Sequence, residues 1–479
     1  MTKVLIVVFD ALRPEFLRAD LMPNLHAFAA RGVRFKNSRS TFPTETRVNQ
    51  TAVLTGCYPR NHGIVGNRFP EPAIAPGEVV NTGVDEQIAN AFARAPGGLI
   101  KMPTMGERLT EAGRSFAALS AGTPGGGRLI NHMAEAHGTF RLAMRCPEAA
   151  RPAGALEEII ARIGPMPDYK LPATDWIAWA ANAYLDYVVP EISPDVMLLW
   201  LCEPDESFHF LGIGEPGSLD TMKSADAQFG RILDAHKGEI ESGALHIIAM
   251  SDHGQISLAG EPLDLPARLS EAGFGAAKTP GPETDFAVVV GNAGGIWASE
   301  SAKPKVPELV EWLMQQTWCG PLFTPDGACG TLKNAEICAN HPRAPDINLI
   351  LRSSDEPNAW AAAGTTLHDA PYPVGGGCHG GLSAHELNNV LVLGGAQFRT
   401  GGALEAPAGN IDVLPTVLKL LNLPIPTGID GRPLHKAFEA APTDHTTIQE
   451  HTMTAPNGQT HLSVTDYGSQ RYLNKAWVS

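Results

Sequence analysis

Three apolar runs in this chain end on carboxylates, and this pattern constrains the fold more than any other feature. Lys3–Phe9 is followed by Asp10, Val196–Cys202 by Glu203-Pro204-Asp205, and Leu245–Met250 by Ser251-Asp252-His253-Gly254. Continuous β-branched and aliphatic runs of this length read as strands buried on both faces, as in a parallel sheet covered by helices. In open sheets of that kind, ligands gather beyond the carboxyl ends of the strands. One sheet would therefore bring residues from position 10 to position 379 to a single place.

Between the runs the pattern changes to helical periodicity. Residues 22–32 place Leu25, Phe28 and Ala29 on one face and stop at Gly32. Helices are also expected over Met105–Ala112, Trp176–Val189, a stretch through Met222 and Phe229, Pro307–Gln315 and Ile411–Leu421. The fold class expected is α/β, with a mostly parallel central sheet flanked by helices on both faces. Residues 266–370, rich in proline and glycine, break the pattern and read as a cap or insertion. The organisation expected is 1–265 as the first part of the core, 266–370 as the cap, 371–440 as the second part, and 441–479 as a C-terminal extension. Thr123-Pro124-Gly125-Gly126-Gly127 lacks the lysine of a phosphate-binding loop and reads as a turn.

The chemistry-bearing residues form a consistent set. Asp205 and His209 are four apart after a strand end, a spacing at which both side chains reach one point on a helix. Asp252-His253 precedes Gly254 on a tight turn, and His379 is set among glycines. Thr46 starts a helix after Pro43-Thr44-Glu45, where free N–H groups and the helix dipole stabilise an alkoxide or a phosphate. Asn49 lies one turn further on, within reach of a phosphoryl oxygen. Three aspartates and three histidines suit divalent cations, zinc first, with manganese or iron as alternatives. Two such ions would be balanced by Asp10, Asp205, Asp252 and a Thr46 alkoxide, leaving a centre that attracts phosphate.

The net charge of −15 argues against a nucleic-acid polymer or an anionic membrane as partner. The six apolar residues before Asp10 are too few for a secretory leader, and no run has the length of a membrane span. Seven irregularly spaced cysteines read as reduced thiols, so a cytoplasmic location is expected.

Six separated phrases occur in an order that resembles the alkaline phosphatase superfamily, in its type I phosphodiesterase/nucleotide pyrophosphatase branch. They are Phe9-Asp10, Pro43-Thr44-Glu45-Thr46, the stretch from Leu54-Thr55-Gly56 to His62-Gly63-Ile64, Asp205 through His209, Ser251-Asp252-His253-Gly254, and His379-Gly380. The resemblance runs through most of residues 3–435. It implies two zinc ions, one held by Asp205, His209 and His379, the other by Asp10, Asp252 and His253 with the Thr46 hydroxyl. It further implies Thr46 as nucleophile of a phospho-enzyme intermediate, Asn49 as a holder of the phosphoryl group, and a small phosphorylated substrate. One departure stands out: the family's Phe-Pro-Asn-His type stretch after the nucleophile is here Arg47-Val48-Asn49-Gln50. Arg47 therefore opens phosphomonoester or phosphonoacetate-type C–P hydrolysis as the alternative to diester hydrolysis. A non-catalytic phosphate- or nucleotide-binding relative is the third reading.

Overall fold

The run Lys3–Phe9 forms the strand on which the molecule is built. The computed structural model describes residues 2–441 and 446–479. Side chains alternate along a strand, so Leu5, Val7 and Phe9 enter one hydrophobic core and Val4, Ile6 and Val8 another. The first core is closed by helices Pro23–Arg31, Thr174–Ala183 and Pro216–Ala235. The second is closed by Thr46–Thr55, Met105–Glu111 and Val413–Leu420. Each fully buried aliphatic side chain of the strand contributes roughly 1.5–3 kcal/mol, which pins the strand, and the residue after it, in the sheet.

The central sheet has eight strands in the order Gly402–Gly409, Val33–Arg39, Leu391–Gly394, Leu245–Met250, Lys3–Phe9, Val196–Leu201, Phe116–Ser120, Arg141–Ala143. All pair in parallel except Leu391–Gly394, which is antiparallel to both neighbours. The sheet is therefore mostly parallel and covered by helices on both faces, as the sequence pattern indicates. Phe9 is in register with Leu201, and Val8 with Met250. The three carboxylate-bearing strands are thus neighbours and end at one level.

Within residues 266–370, strands Phe286–Val290, Ala293–Ala298, Cys319–Thr324 and Ile347–Leu351 belong to a separate six-stranded sheet. It has its own core, including Leu269, Leu309 and Leu349. Residues 448–478 form a three-stranded antiparallel sheet, where the sequence shows a polar stretch with a mixed short-strand pattern. The glycine-rich segment is not a turn but opens a helix, Pro124–Leu129. Its glycines serve close packing: a Cβ on Gly125 would lie 2.2 Å from the Thr82 carbonyl oxygen, and one on Gly127 2.4 Å from Ala143 Cβ. Among the described residues no helix is long and apolar enough to cross a membrane.

Candidate active site

The carboxyl ends of the three neighbouring strands deliver Asp10, Asp205 and Asp252. Asp10 follows its strand directly, and its carbonyl accepts from the Asp205 N–H at 3.1 Å, tying two of the turns together. Asp205 starts the short helix Asp205–Phe210, which brings His209 back over it, with His209 Nε2 3.4 Å from Asp205 Oδ1. His379 Nε2 reaches the same oxygen at 3.4 Å. His253 Nε2 lies 3.1 Å from Asp252 Oδ2 and 3.7 Å from Asp10 Oδ1. Two tight groups of potential ligand atoms result: Asp205, His253 and His379, and Asp10, Asp252 and His253. His253 belongs to both, while His209 joins through Asp205.

The histidines are oriented alike. Nδ1 of His209 faces the Gly377 carbonyl at 2.8 Å, that of His253 the Gly254 carbonyl at 2.9 Å, and that of His379 the Thr44 carbonyl at 2.8 Å. An Nδ1–H donated to a carbonyl leaves Nε2 as a lone pair aimed at the centre, the arrangement that supports a metal-binding imidazole. Close backbone approach makes this possible. A Cβ at Gly376 would stand 2.2 Å from the His209 carbonyl oxygen, and one at Gly377 2.4 Å from Gln255 Oε1.

The carboxylates are short of partners. Asp10 Oδ2 accepts from Trp200 Nε1 at 2.8 Å and Asp252 Oδ1 from the Ala11 N–H at 3.2 Å. Asp10 Oδ1 and Asp252 Oδ2 are buried with no hydrogen bond. Burial, then the charges of Asp252 and Asp205, push Asp10 well above the usual carboxylate range. Burial also works to raise Asp205, but His209, His379 and His253 outweigh it and hold its carboxyl below that range. Burial and the neighbouring His253 hold His379 well below an ordinary imidazole. Orphaned buried oxygens are expensive unless a cation satisfies them. The donor set of three carboxylates and three imidazoles fits divalent metal ions of the zinc type.

Thr46 is the first residue of its helix, with Glu45 as N-cap, so it is not itself a cap. Its Oγ1 is turned to His253 Nε2 at 3.1 Å. The structure corrects the reading of Asn49. Its Oδ1 accepts from the Thr41 N–H at 2.8 Å and from Asn410 Nδ2 at 2.8 Å, and its Nδ2 donates to the Pro43 and Glu45 carbonyls. That amide is spent on holding the loop before Thr46 and has nothing left for a phosphoryl oxygen.

Asn67, which the sequence reading passed over, lines the cleft instead. Its Oδ1 accepts from the Arg47 N–H at 3.1 Å and its backbone N–H donates to Glu45 Oε2, so the side-chain NH2 group is the part left for a ligand. It follows Gly63-Ile64-Val65-Gly66, and no local periodicity marks such a loop. Tyr372 was missed for the same reason. Its ring stacks on His209 at 4.0 Å between centroids. The cleft has a volume of about 550 Å³, and Glu45, Arg47 and Asn67 share it with residues 288–291 and 293–295 of the first hairpin of the second sheet.

With this geometry in view, similarity to known proteins becomes informative. The family model of type I phosphodiesterase/nucleotide pyrophosphatase matches residues 4–305. The chain belongs to this family. It is 23% identical over 262 residues to venom phosphodiesterase 2 of Crotalus adamanteus, covering 54% of this chain and 27% of that protein. It is 22% identical over 253 residues to ectonucleotide pyrophosphatase/phosphodiesterase family member 3 of Mus musculus, covering 52% and 24%. The chain thus spans about a quarter of the length of these curated relatives. A shorter stretch of 67 residues, 14% of this chain and 15% of the relative, is 38% identical to bis(5'-adenosyl)-triphosphatase enpp4 of Xenopus laevis. Among solved structures, murine ectonucleotide pyrophosphatase/phosphodiesterase 5, an inactive variant in complex with AMP, superposes with a TM-score of 0.61 at 17% identity. The match covers 89% of this chain and 96% of that one, and it establishes a shared fold.

Proposed function

We propose that this chain is a two-metal phosphoryl-ester hydrolase, a phosphodiesterase or nucleotide pyrophosphatase, acting through Thr46. Asp205, His209 and His379 would hold one ion, and Asp10, Asp252 and His253 the other, with the Thr46 hydroxyl beside it. Two zinc ions, when bound, would supply Lewis acidity for the Thr46 oxygen and for the leaving oxygen.

The protein's own groups do the positioning. The Gly254 carbonyl fixes the His253 ring, and Trp200 fixes Asp10. The Thr46 backbone N–H and the Asn67 amide offer N–H donors to the phosphoryl oxygens, where charge develops in the transition state. The Thr46 hydroxyl gives its proton to solvent and Oγ forms a bond to phosphorus as the bond to the leaving oxygen breaks, and that oxygen takes a proton from solvent. Water then bonds to phosphorus, the bond from Thr46 to phosphorus breaks, and the threonine hydroxyl recovers a proton.

The observation that carries this reading is a threonine hydroxyl on a helix start, 3.1 Å from His253 Nε2, which itself stands 3.1 Å from Asp252 Oδ2 and 3.7 Å from Asp10 Oδ1, two buried oxygens with no hydrogen bond. Relatives named as phosphodiesterases and as a bis(5'-adenosyl)-triphosphatase support it. The test is turnover of bis-p-nitrophenyl phosphate by zinc-loaded protein, with metal content measured in parallel. Thr46→Ala is expected to keep its zinc and lose turnover by at least about 1000-fold; activity close to the parent's would remove Thr46 from the mechanism. Monoester or phosphonate hydrolysis is the second reading, favoured by Arg47 in the cleft. A cytoplasmic setting belongs to the same proposal, supported by seven cysteines that are all unpaired.

A further inference from the structure

Arg47 is adjacent to Thr46 in the chain and lines the cleft together with His209 and His379. Its backbone N–H is taken by Asn67. Its guanidinium has one long contact, Nη1 to Thr123 Oγ1 at 3.4 Å, and its Nε is buried without a partner. Among the described residues no carboxylate lies within ion-pair distance of it.

Arg39, Arg108 and Arg432 also have a buried Nε without a partner, but they lie outside this cleft, and three other partly buried arginines are paired with carboxylates. Arg128 takes Asp85 with two bonds of 2.6 Å, Arg60 takes Asp430 at 2.6 Å, and Arg343 takes Glu71 at 2.7 Å. A guanidinium left with unused donors in a cleft is matched to a planar or tetrahedral oxyanion, which it grips through two parallel N–H bonds. Arg68 and Lys278 line the same cleft and also lack ion-pair partners among the described residues. The same lining carries Glu45, Asp264 and Asp369, with the charges of Arg47 and Arg68 acting on Glu45 and that of Lys278 on Asp369, so the cleft is balanced overall and Arg47 is set apart by its buried Nε without a partner. Thr46 and Arg47 are consecutive on the first helical turn. An anion held by Arg47 and a phosphorus facing Thr46 would then be close enough to belong to one small molecule.

We propose that Arg47 forms an anion subsite, and that the substrate carries a second anionic group, a carboxylate or a further phosphate, beyond the phosphorus that Thr46 attacks. This rests on the hydrolase reading for the attacked phosphorus, but the subsite is measurable without turnover.

The test is calorimetric titration of the zinc-loaded Thr46→Ala protein with phosphonoacetate, pyrophosphate and methylphosphonate. The doubly functional anions are expected to bind about 10- to 100-fold more tightly than methylphosphonate, the gain of a charge-assisted bidentate contact. Adding Arg47→Gln should erase most of that advantage, and Arg47→Lys should restore part of it. Whichever of phosphonoacetate and pyrophosphate loses more in Arg47→Gln identifies the carboxylate or the phosphate as the natural partner. Equal affinities in the parent, or an advantage that survives both Arg47 variants, would overturn the subsite. If Arg47→Gln fails to fold, Arg47→Leu, which keeps an apolar stem, supplies the same comparison; an undiminished advantage there would also overturn it. Turnover separates the two proposals. An Arg47-dependent advantage with no hydrolysis of any phosphoryl ester keeps the subsite and sinks the hydrolase. Hydrolysis of bis-p-nitrophenyl phosphate with no such advantage does the reverse.

Discussion

Asn49 and Asn67 both follow Thr46 in the sequence, and they are bonded differently. Asn49 bonds to Thr41, Pro43, Glu45 and Asn410 inside the protein, so Asn49→Ala should lower unfolding free energy by roughly 2–3 kcal/mol in urea titrations. Asn67→Ala should barely change stability and lower kcat/KM about 10- to 100-fold, the effect of removing one donor to a charged oxygen. The reverse pattern would return the phosphoryl-holding duty to Asn49. Asp10 gives a second residue-scale expectation. Without metal, its carboxyl is crowded by those of Asp252 and Asp205. Asp10→Asn should therefore raise the melting temperature in chelator while lowering zinc stoichiometry, a gain of about 1–2 kcal/mol on the scale of one relieved charge. A destabilised, metal-free Asp10→Asn protein would contradict this. Asp10, Asp252 and His253 were legible in the sequence because each follows a run that only a buried strand explains. Asn67 was not, because its place depends on a loop returning to the nucleophile helix.

At the scale of elements, the site depends on a short strand, Gly377–Cys378, paired with Ile256–Leu258. This pairing brings His379 back toward His253 across more than a hundred residues of intervening chain. The glycines before it are needed because His209 and Gln255 occupy the space a side chain would fill. Gly376→Ala must push the Asp205–Phe210 helix away from the strand. The expected result is loss of about one zinc per chain by elemental analysis, with a stability cost of roughly 1–3 kcal/mol. Full zinc content in that variant would show that the helix and strand are not mutually positioned in this way. The glycines around His379 were visible in the sequence as permission for close approach, but what they approach was not. The glycine-rich segment at 123–127 shows the same limit: small residues signal tight packing, and a turn and a helix start satisfy that signal equally. The C-terminal sheet showed in the sequence only as a mixed short-strand pattern, because its outer strand Ile448–Thr454 is mostly exposed and polar.

At the scale of the molecule, pH acts through buried imidazoles far from the site. His246 is fully buried, neither ring nitrogen has a partner, and burial lowers it to about 4; burial likewise lowers His62 to about 3. Such a ring is neutral when folded and takes up a proton on unfolding below an ordinary imidazole value of about 6.5. Its stabilising effect is therefore complete above that pH and is lost as pH falls toward 4. Buried acids such as Glu203, raised to about 8 by burial, act in the opposite sense, so a single-site difference is the sound measurement. His246→Leu should flatten the slope of unfolding free energy between about pH 6.5 and 4 by up to about 1.4 kcal/mol per pH unit. An unchanged slope would contradict the neutral, buried His246. The overall α/β layering was legible because the strands are long, apolar and regularly interrupted by helices. The second sheet was legible only as a break in that pattern, since proline and glycine clusters mark boundaries without specifying pairing.

The central claim is that Thr46 becomes covalently phosphorylated during turnover. The direct measurement is rapid acid quenching of zinc-loaded protein during hydrolysis of bis-p-nitrophenyl phosphate, followed by peptide mass spectrometry. The account predicts a phosphoryl-derived mass increment on the peptide containing Thr46, appearing at the rate of the first product burst and absent from Thr46→Ala. Burst kinetics with the increment on another residue, or steady turnover with Thr46 never modified, would contradict it.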